Sequence, residues 1–127
     1  MKKLIEAIKY QRITEWNEEE IVLANGMVLS LEETDSDCCA SASGEWIDVK
    51  LAAVITDVQI EIDSYQEEAY GTEESKATVT IFNNRNEVCA IGKAEADSGN
   101  DGYYYSVCSL VVRLNNEELF EEKVVDC

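Results

Sequence analysis

The sequence predicts a mainly antiparallel β protein, with a meander or sandwich-like sheet and short helices possible at the termini. Three observations support this fold class. An Asn25-Gly26 pair lies between two apolar runs, the side chains of Val58, Ile60 and Ile62 alternate with polar ones, and turn residues recur every few positions in a chain with no proline. Several short strands at this spacing are typical of a sheet that curls or doubles into a sandwich. We expect a single domain spanning residues 1–127.

The first hairpin is predicted at "EIVLANGMVLSLEE". Asn-Gly is the preferred pair for a two-residue type I′ turn, because both positions need a positive φ angle. In that register Ala24 faces Met27, Leu23 faces Val28 and Val22 faces Leu29.

Residues 51–63, "LAAVITDVQIEID", begin as an apolar run and end in clean alternation. A period of two indicates a strand with Val58, Ile60 and Ile62 on one face and polar side chains on the solvent face. Residues 64–75, "SYQEEAYGTEES", are predicted to form a long acidic loop.

The second half of the chain predicts a hairpin that turns at residues 83–86, where asparagines tolerate left-handed backbone conformations. The segment "DSGNDG" turns the chain again, before "YYYSVCSLVVRL", which is aromatic and β-branched enough to be a central strand. "DSGNDG" also echoes the start of a calcium loop. Its third position is glycine, however, and the twelfth place lacks a bidentate glutamate, so a hairpin turn explains it better.

Both termini can form a short helix or an edge strand. Leu4, Ile5 and Ile8 are spaced for one apolar helix face. Near the other end, "NNEELFEE" offers an asparagine N-cap followed by early glutamates.

The charge balance excludes several partners. The chain carries 27 acidic and 10 basic residues, for a net charge of −17. Such a surface repels nucleic acid and anionic membranes, so the natural partner is a basic protein. The N-terminal apolar run is short and broken by Glu6, which is unlike a secretory signal or a membrane span, so we expect a cytoplasmic protein.

The sequence advertises no catalytic chemistry. Without histidine, nucleophiles of the Ser-His and Cys-His kind are excluded, and the abundant carboxylates are uninformative about acid and base roles. We therefore expect a protein that is not an enzyme.

The cysteines raise a metal hypothesis, because a reducing compartment argues against disulfides. If the turn at "DSGNDG" joins two paired strands through an even-length loop, Cys89 and Cys108 share one sheet face. The adjacent Cys38 and Cys39 lie in a loop-like stretch from which both could reach the same ion. A structural zinc held by Cys38, Cys39, Cys89 and Cys108 is therefore predicted, with Cys127 or Asp37 as a substitute ligand. The alternative is that these cysteines are buried as small apolar residues.

Two motifs carry a resemblance. Asp37-Cys38-Cys39-Ala40 and the segment "GNDGYY", residues 99–104, resemble the Asp-Cys-Cys-Ala and Gly-Asn-Asp-Gly-Tyr-Tyr segments of a family of small phage and prophage proteins. The likeness extends from about Ile21 to Val112. In size, charge and cysteine content the chain also looks like prophage-encoded anti-CRISPR proteins that act on type II systems.

This resemblance implies an acidic phage-encoded inhibitor of host defence, which acts in the host cytoplasm. It would bind a basic surface of a type II CRISPR effector nuclease and block loading of guide or target DNA. The alternative is a phage structural or accessory protein with no inhibitory role. The candidate partner contacts are acidic residues: Glu18, Glu19, Glu20, Glu32, Glu33, Asp35, Asp37, Glu67, Glu68, Glu73 and Glu74. A further candidate cluster is Glu117, Glu118, Glu121 and Glu122.

Overall fold

The computed structural model describes residues 1–37, 40–67, 73–99 and 105–127, which form one short helix and nine strands. The strands pair antiparallel throughout, so the predicted mainly antiparallel β fold is confirmed. In chain order the elements are α1 (Lys2–Ile8), β1 (Ile13–Trp16), β2 (Glu20–Leu23), β3 (Val28–Ser36), β4 (Ala42–Val49), β5 (Ile55–Glu67), β6 (Glu73–Asn83), β7 (Val88–Asp97), β8 (Ser106–Leu114) and β9 (Glu117–Asp126).

The strands form two sheets that pack face to face. The first sheet has the order β1-β2-β3-β8-β9, and the second has the order β4-β7-β6-β5. The chain passes from the first sheet to the second after β3 and returns after β7. Strands β6 and β7 pack against β9, and β4 and β7 pack against β8. One cluster of buried apolar side chains draws on both sheets and on α1, which gives a sandwich.

Trp46 on β4 is the largest fully buried side chain. Its indole N–H donates to the backbone oxygen of Leu29 at 3.2 Å, which satisfies the polar atom inside the core. Gly92 lies opposite Trp46 on β7, and a Cβ atom there would come within 2.8 Å of the indole ring and 2.7 Å of Leu31. The ring therefore occupies the space that the missing side chain leaves.

The two termini differ. The N-terminal segment forms the predicted helix, with Leu4 and Ile8 buried against the core. Of the two alternatives at "NNEELFEE", the edge strand is confirmed and the helix is wrong, because this segment turns and returns as edge strand β9. Asn115 and Asn116 have φ angles of 55° and 66° and connect the paired residues Leu114 and Glu117. Two consecutive positive φ angles define a type I′ turn, so these asparagines close a hairpin.

The hairpin at Asn25-Gly26 exists, but its predicted register is wrong by one residue. Leu23 donates its N–H to Met27 at 2.8 Å and accepts the N–H of Gly26 at 2.9 Å. Of the two turn residues, Gly26 alone has a positive φ, 90°. This is a three-residue loop with glycine in the left-handed position, and Val22 consequently pairs with Val28.

The hairpin predicted at residues 83–86 is confirmed and uses the same loop. Asn83 donates its N–H to Glu87 at 2.8 Å and accepts the N–H of Asn86 at 3.1 Å. Asn86 takes the left-handed position with a φ of 58°. The side chain of Asn83 also accepts the N–H groups of Arg85 and Glu87.

Residues 51–75 need two corrections. Residues 51–54 lie outside β5, in a turn ahead of it, and the predicted long loop at residues 64–75 is largely strand, because β5 extends to Glu67 and β6 begins at Glu73. The burial of the predicted apolar face decreases toward this end: Val58 is buried, Ile60 is half-buried, and Ile62 is 57% exposed. The ribbon of β5 and β6 thus continues past the shared core.

Candidate functional site

The residues that flank the two sequence motifs meet at one end of the sandwich. Asp37, after β3, donates its backbone N–H to the carbonyl of Tyr105 at 2.8 Å, and its carboxylate accepts the N–H of Tyr105 at 3.2 Å. The hydroxyl of Tyr105 donates to Asp35 at 2.6 Å. The start of the first motif therefore lies beside Tyr105, the residue that follows the second motif.

A second set of bonds joins the other flanks. The carboxylate of Asp97 accepts two hydrogen bonds from Ser41, one from the backbone N–H at 2.9 Å and one from the side-chain hydroxyl at 3.0 Å. The hydroxyl of Ser106, which is fully buried, lies 2.8 Å from the carbonyl oxygen of Ser41 and 2.7 Å from that of Asp97. We call this group the motif junction; its members are Asp35, Asp37, Ser41, Asp97, Tyr105 and Ser106.

The electrostatics of the motif junction favour a holding role. The hydrogen bond to Asp35, with the negative charges of Asp35 and Asp37, raises the pKa of the Tyr105 phenol, so the hydroxyl stays protonated as a donor. The carboxylates of Asp37 and Asp97 accept bonds from backbone N–H groups. This arrangement fixes the points at which both motif segments leave and rejoin the sheets.

The predicted cross-strand pair of Cys89 and Cys108 is wrong. Strands β7 and β8 are consecutive but belong to different sheets, so the connection through "DSGNDG" is a crossing between sheets. Cys89 lies near the start of β7, eight residues before Asp97, which at strand rise is about 26 Å from the motif junction. Cys108 lies only two residues after Ser106.

Cys127 is the cysteine that the topology brings toward Cys108. Ser106 and Cys127 exchange both backbone hydrogen bonds, at 3.3 and 3.1 Å, and Cys108 pairs with Val125 two positions along. Positions two apart on a strand point to the same face, so Cys108 and Cys127 both face the core. A helix at "NNEELFEE" would not predict this pairing, because Cys127 reaches Ser106 only when the segment returns as strand β9.

The predicted zinc site was tested against the thiol environments. Burial, followed by the charges of Glu32, Glu33 and Glu95, raises the pKa of Cys108 to about 12, and burial raises the pKa of Cys89. Zinc binds thiolates, which these surroundings disfavour. Within the described ranges, no three Cys, Asp or Glu side chains are grouped to hold a metal ion. Without Cys38 and Cys39, the described thiols therefore offer no complete set of four ligands.

Cys38 and Cys39 lie outside the described residues, so a zinc ion held through them stays a prediction. Elemental analysis checks it directly. A purified protein without zinc, whose melting temperature ignores a strong chelator, would contradict it.

A carboxylate-rich cleft opens beside β3, between residues of the first sheet and Gly44 on β4 of the second. Its volume is about 450 Å³, and its lining includes Glu19, Glu20, Glu32 and Arg113. Both terminal nitrogens of Arg113 bond the carboxylate of Glu32, whose pKa is lowered chiefly by that bond. These glutamates are among the predicted partner contacts, but Arg113 is not. Arg113 and Lys123 are the two basic residues of the β8–β9 hairpin.

A like-charge pair borders this cleft. Glu118 lies opposite Arg113 on β9, and its pKa is raised by its hydrogen bond with Glu121, by partial desolvation and by the charge of that neighbour. The positive charge of Arg113 lowers the pKa of Glu118 and offsets part of this shift. We call the set Glu19, Glu20, Glu32, Glu118 and Glu121 the carboxylate face.

The other predicted contacts are dispersed. Glu33 accepts the backbone N–H of Ala42 at 3.0 Å, Asp35 and Asp37 belong to the motif junction, and Glu74 lies 3.7 Å from Lys76. Glu18 accepts the N–H of Trp46 through its carbonyl. Glu68 and the side chains of Glu67 and Glu73 lie outside the described residues, as do residues 100–102, the second half of "DSGNDG". The predicted cluster from Glu32 to Asp37 is therefore split between two places.

Comparison with known proteins gives a family. Residues 1–111 match the model of DUF7448, a domain of unknown function. The chain belongs to the DUF7448 family. No curated protein and no solved structure matches this DUF7448 protein. In the part of the chain that the structure describes, no helix has the length and apolar character needed to cross a membrane.

Proposed function

We propose that this DUF7448 protein is a phage-encoded inhibitor of host defence, which binds the basic nucleic-acid channel of a type II CRISPR effector nuclease in the host cytoplasm. The carboxylate face is the observation that supports a basic partner. The identity of that partner rests on the sequence resemblance.

The carboxylate face suits a basic surface for an electrostatic reason. Besides its hydrogen bond with Glu121, the negative charges of Glu121 and Glu32 raise the pKa of Glu118, and the positive charge of Arg113 offsets only part of their repulsion. An arginine or lysine from a partner placed beside them relieves this repulsion, so binding and charge neutralisation reinforce each other. The net charge of −17 also accelerates association with a basic partner at low ionic strength.

Occupation of the channel by this surface would exclude the guide RNA or the target DNA, whose backbone the same basic residues bind. Arg113 has a positioning role in this scheme, because its bidentate bond holds the Glu32 carboxylate in place.

The test is binding to the purified nuclease, with and without guide RNA, together with a plasmid-interference assay. We expect affinity to fall steeply between about 50 and 200 mM salt. Glu118→Lys and Glu20→Lys should each weaken binding by at least about tenfold. Glu45→Lys, an equal charge reversal on β4 at an exposed position, is the matched control and should bind nearly as the wild type does.

Absence of binding to the nuclease would overturn the proposal, and so would equal losses for all three reversals, which indicate non-specific charge. Recovery of capsid or tail proteins instead of the nuclease, in a pull-down from an infected lysate, would favour the phage-assembly alternative. Circular dichroism of each variant verifies that the fold is retained.

A further inference from the structure

One edge of the second sheet is left open. The chain covers only the beginning of β5, where Tyr10 donates its N–H to the carbonyl of Ile55 at 2.7 Å and Ile55 donates its N–H to Gln11 at 2.9 Å. Beyond Ile55, the backbone of β5 bonds only to β6 within the described residues, apart from the N–H of Val58, which donates to the Asp57 carboxylate at 2.9 Å. In that part of the chain, no strand lies beside the outward backbone groups of residues 59–63. We call these residues the β5 edge.

The two faces of the β5 edge differ in character. Ile60 and Ile62 lie on the core side, opposite the buried residues Val79 and Ala77, yet Ile62 is 57% exposed. Glu61 points to the other face and is exposed, with no hydrogen bond or ion pair to the described residues. The edge thus offers backbone donors and acceptors, an apolar side and an acidic side.

We propose that the β5 edge binds an extended segment of a partner protein in which basic residues alternate with apolar ones. Such a segment adds to the second sheet as a further strand beside β5. Backbone hydrogen bonds supply affinity, and the two-residue period of a strand directs apolar side chains to Ile60 and Ile62 while Lys or Arg meets Glu61.

A second copy of this chain is the alternative occupant, and charge disfavours it. Antiparallel pairing of two β5 edges would bring Glu61 and Asp57 of one copy near the same carboxylates of the other. Like charges opposite each other destabilise strand pairs, and both chains carry a net charge of −17. A basic segment instead gains from every one of these charges.

This inference rests on the proposed function only in that both take a basic protein as partner. The carboxylate face explains electrostatic attraction, whereas the β5 edge specifies an extended backbone and an alternating sequence. The two surfaces lie on different sheets and can fail separately.

The first experiment titrates the full-length protein with a capped decapeptide of alternating lysine and valine, followed by amide NMR. We expect shift changes centred on residues 59–63. A peptide with the same composition but five lysines followed by five valines, and an alternating peptide N-methylated at every second residue, should each bind at least about tenfold more weakly. Equal binding of all three peptides, or shifts confined to the carboxylate face, would overturn the inference.

The second experiment uses variants at exposed positions, which should leave the fold intact. Ile62→Ser and Glu61→Lys should each weaken binding of the alternating peptide by about tenfold or more. The matched controls are Leu119→Ser, at a 40% exposed leucine of β9, and Glu45→Lys on β4. A dimer that Ile62→Ser abolishes would assign the edge to a second copy and would refute the proposal.

The outcomes separate the two proposals. Peptide binding at the β5 edge without nuclease binding would support the inference and overturn the proposed function. Nuclease binding that is sensitive to Glu118→Lys, without peptide binding at the β5 edge, would support the proposed function and overturn the inference.

Discussion

Strands β4 and β5 are the two edges of the second sheet, and the protein treats them differently. At β4, the backbone N–H of Trp46 donates to the carbonyl of Glu18 at 2.9 Å. The backbone N–H of Ala42 donates to the Glu33 carboxylate at 3.0 Å. A bulge at Ile47 further disrupts the outward row. β5 also has bulges, at Thr56 and Asp63, and the Asp57 carboxylate accepts the N–H of Val58 at 2.9 Å. Within the described residues, however, no bond from another segment covers the outward row of β5 beyond Ile55.

The difference shows that an edge can be left open where charge limits self-association. Exposed edge strands are templates for pairing, and proteins blunt them with bulges, loops or charged residues. β4 adds contacts from the first sheet to its bulge. β5 relies on Glu61 and the net charge, which repel another copy of this acidic chain but attract a basic one.

The largest effect should come from breaking the anchor of β4. Trp46→Ala removes the largest buried side chain, so we expect a loss of about 3–5 kcal/mol in the free energy of unfolding. Ile62→Ala, on the open edge, should change it by less than about 0.5 kcal/mol. Urea unfolding measures both, and equal losses would mean that the two edges are anchored alike.

The next effect concerns Cys108 on β8, where burial, followed by the charges of Glu32, Glu33 and Glu95, raises the thiol pKa to about 12 from an ordinary value of 9.0. Above pH 9 the unfolded thiol ionises while the folded thiol keeps its proton. Stability is therefore fully present below pH 9 and falls by about 1.4 kcal/mol per pH unit as the pH rises through the folded pKa.

Cys108→Ala should flatten this alkaline decline, measured by urea unfolding between pH 8 and about 10.5. Val112→Ala is the control, because it removes buried atoms at all pH values without a titrating group. Parallel curves for wild type and Cys108→Ala would contradict the prediction.

A smaller loss is expected at the start of β4. Ser106→Ala removes the buried hydroxyl that bonds the carbonyls of Ser41 and Asp97, at a cost of about 1–3 kcal/mol. Ser43→Ala, an exposed serine on the same edge, should be nearly neutral. If the two variants unfold at the same urea concentration, the motif junction does not hold β4.

The smallest effect should come from the cap at Ala42. Glu33→Ala removes a bond to an exposed backbone N–H, so about 0.5 kcal/mol should be lost. Glu45→Ala, at an exposed glutamate of β4, serves as the comparison. Faster amide hydrogen exchange at Ala42 in the first variant alone would confirm the cap, and unchanged exchange would refute it.

Local signals in the sequence predicted most elements. Alternation at Val58 and Ile60 identified β5, and asparagine or glycine identified the turns near Asn86 and Gly26. The register at Gly26 was wrong because Asn-Gly fits both a two-residue and a three-residue loop. Asn115 and Asn116 suit a helix N-cap as well as a left-handed turn, so residue type alone does not decide between helix and hairpin.

The candidate sites were predicted less completely. The glutamates of the carboxylate face stand out in the sequence, but their link through Arg113 depends on the pairing of β3 with β8. Cys89 and Cys108 seemed to be strand partners because consecutive strands usually pair. Here the chain crosses to the other sheet between them.

The sequence by itself determined that this protein is an antiparallel β fold with a strongly acidic surface, because side-chain period and charge are properties of the chain alone. The tertiary structure decided which edge stays open, which cysteines share a face and which motif flanks meet. Those properties depend on contacts between residues distant in sequence, and such contacts form only when two sheets bury one core.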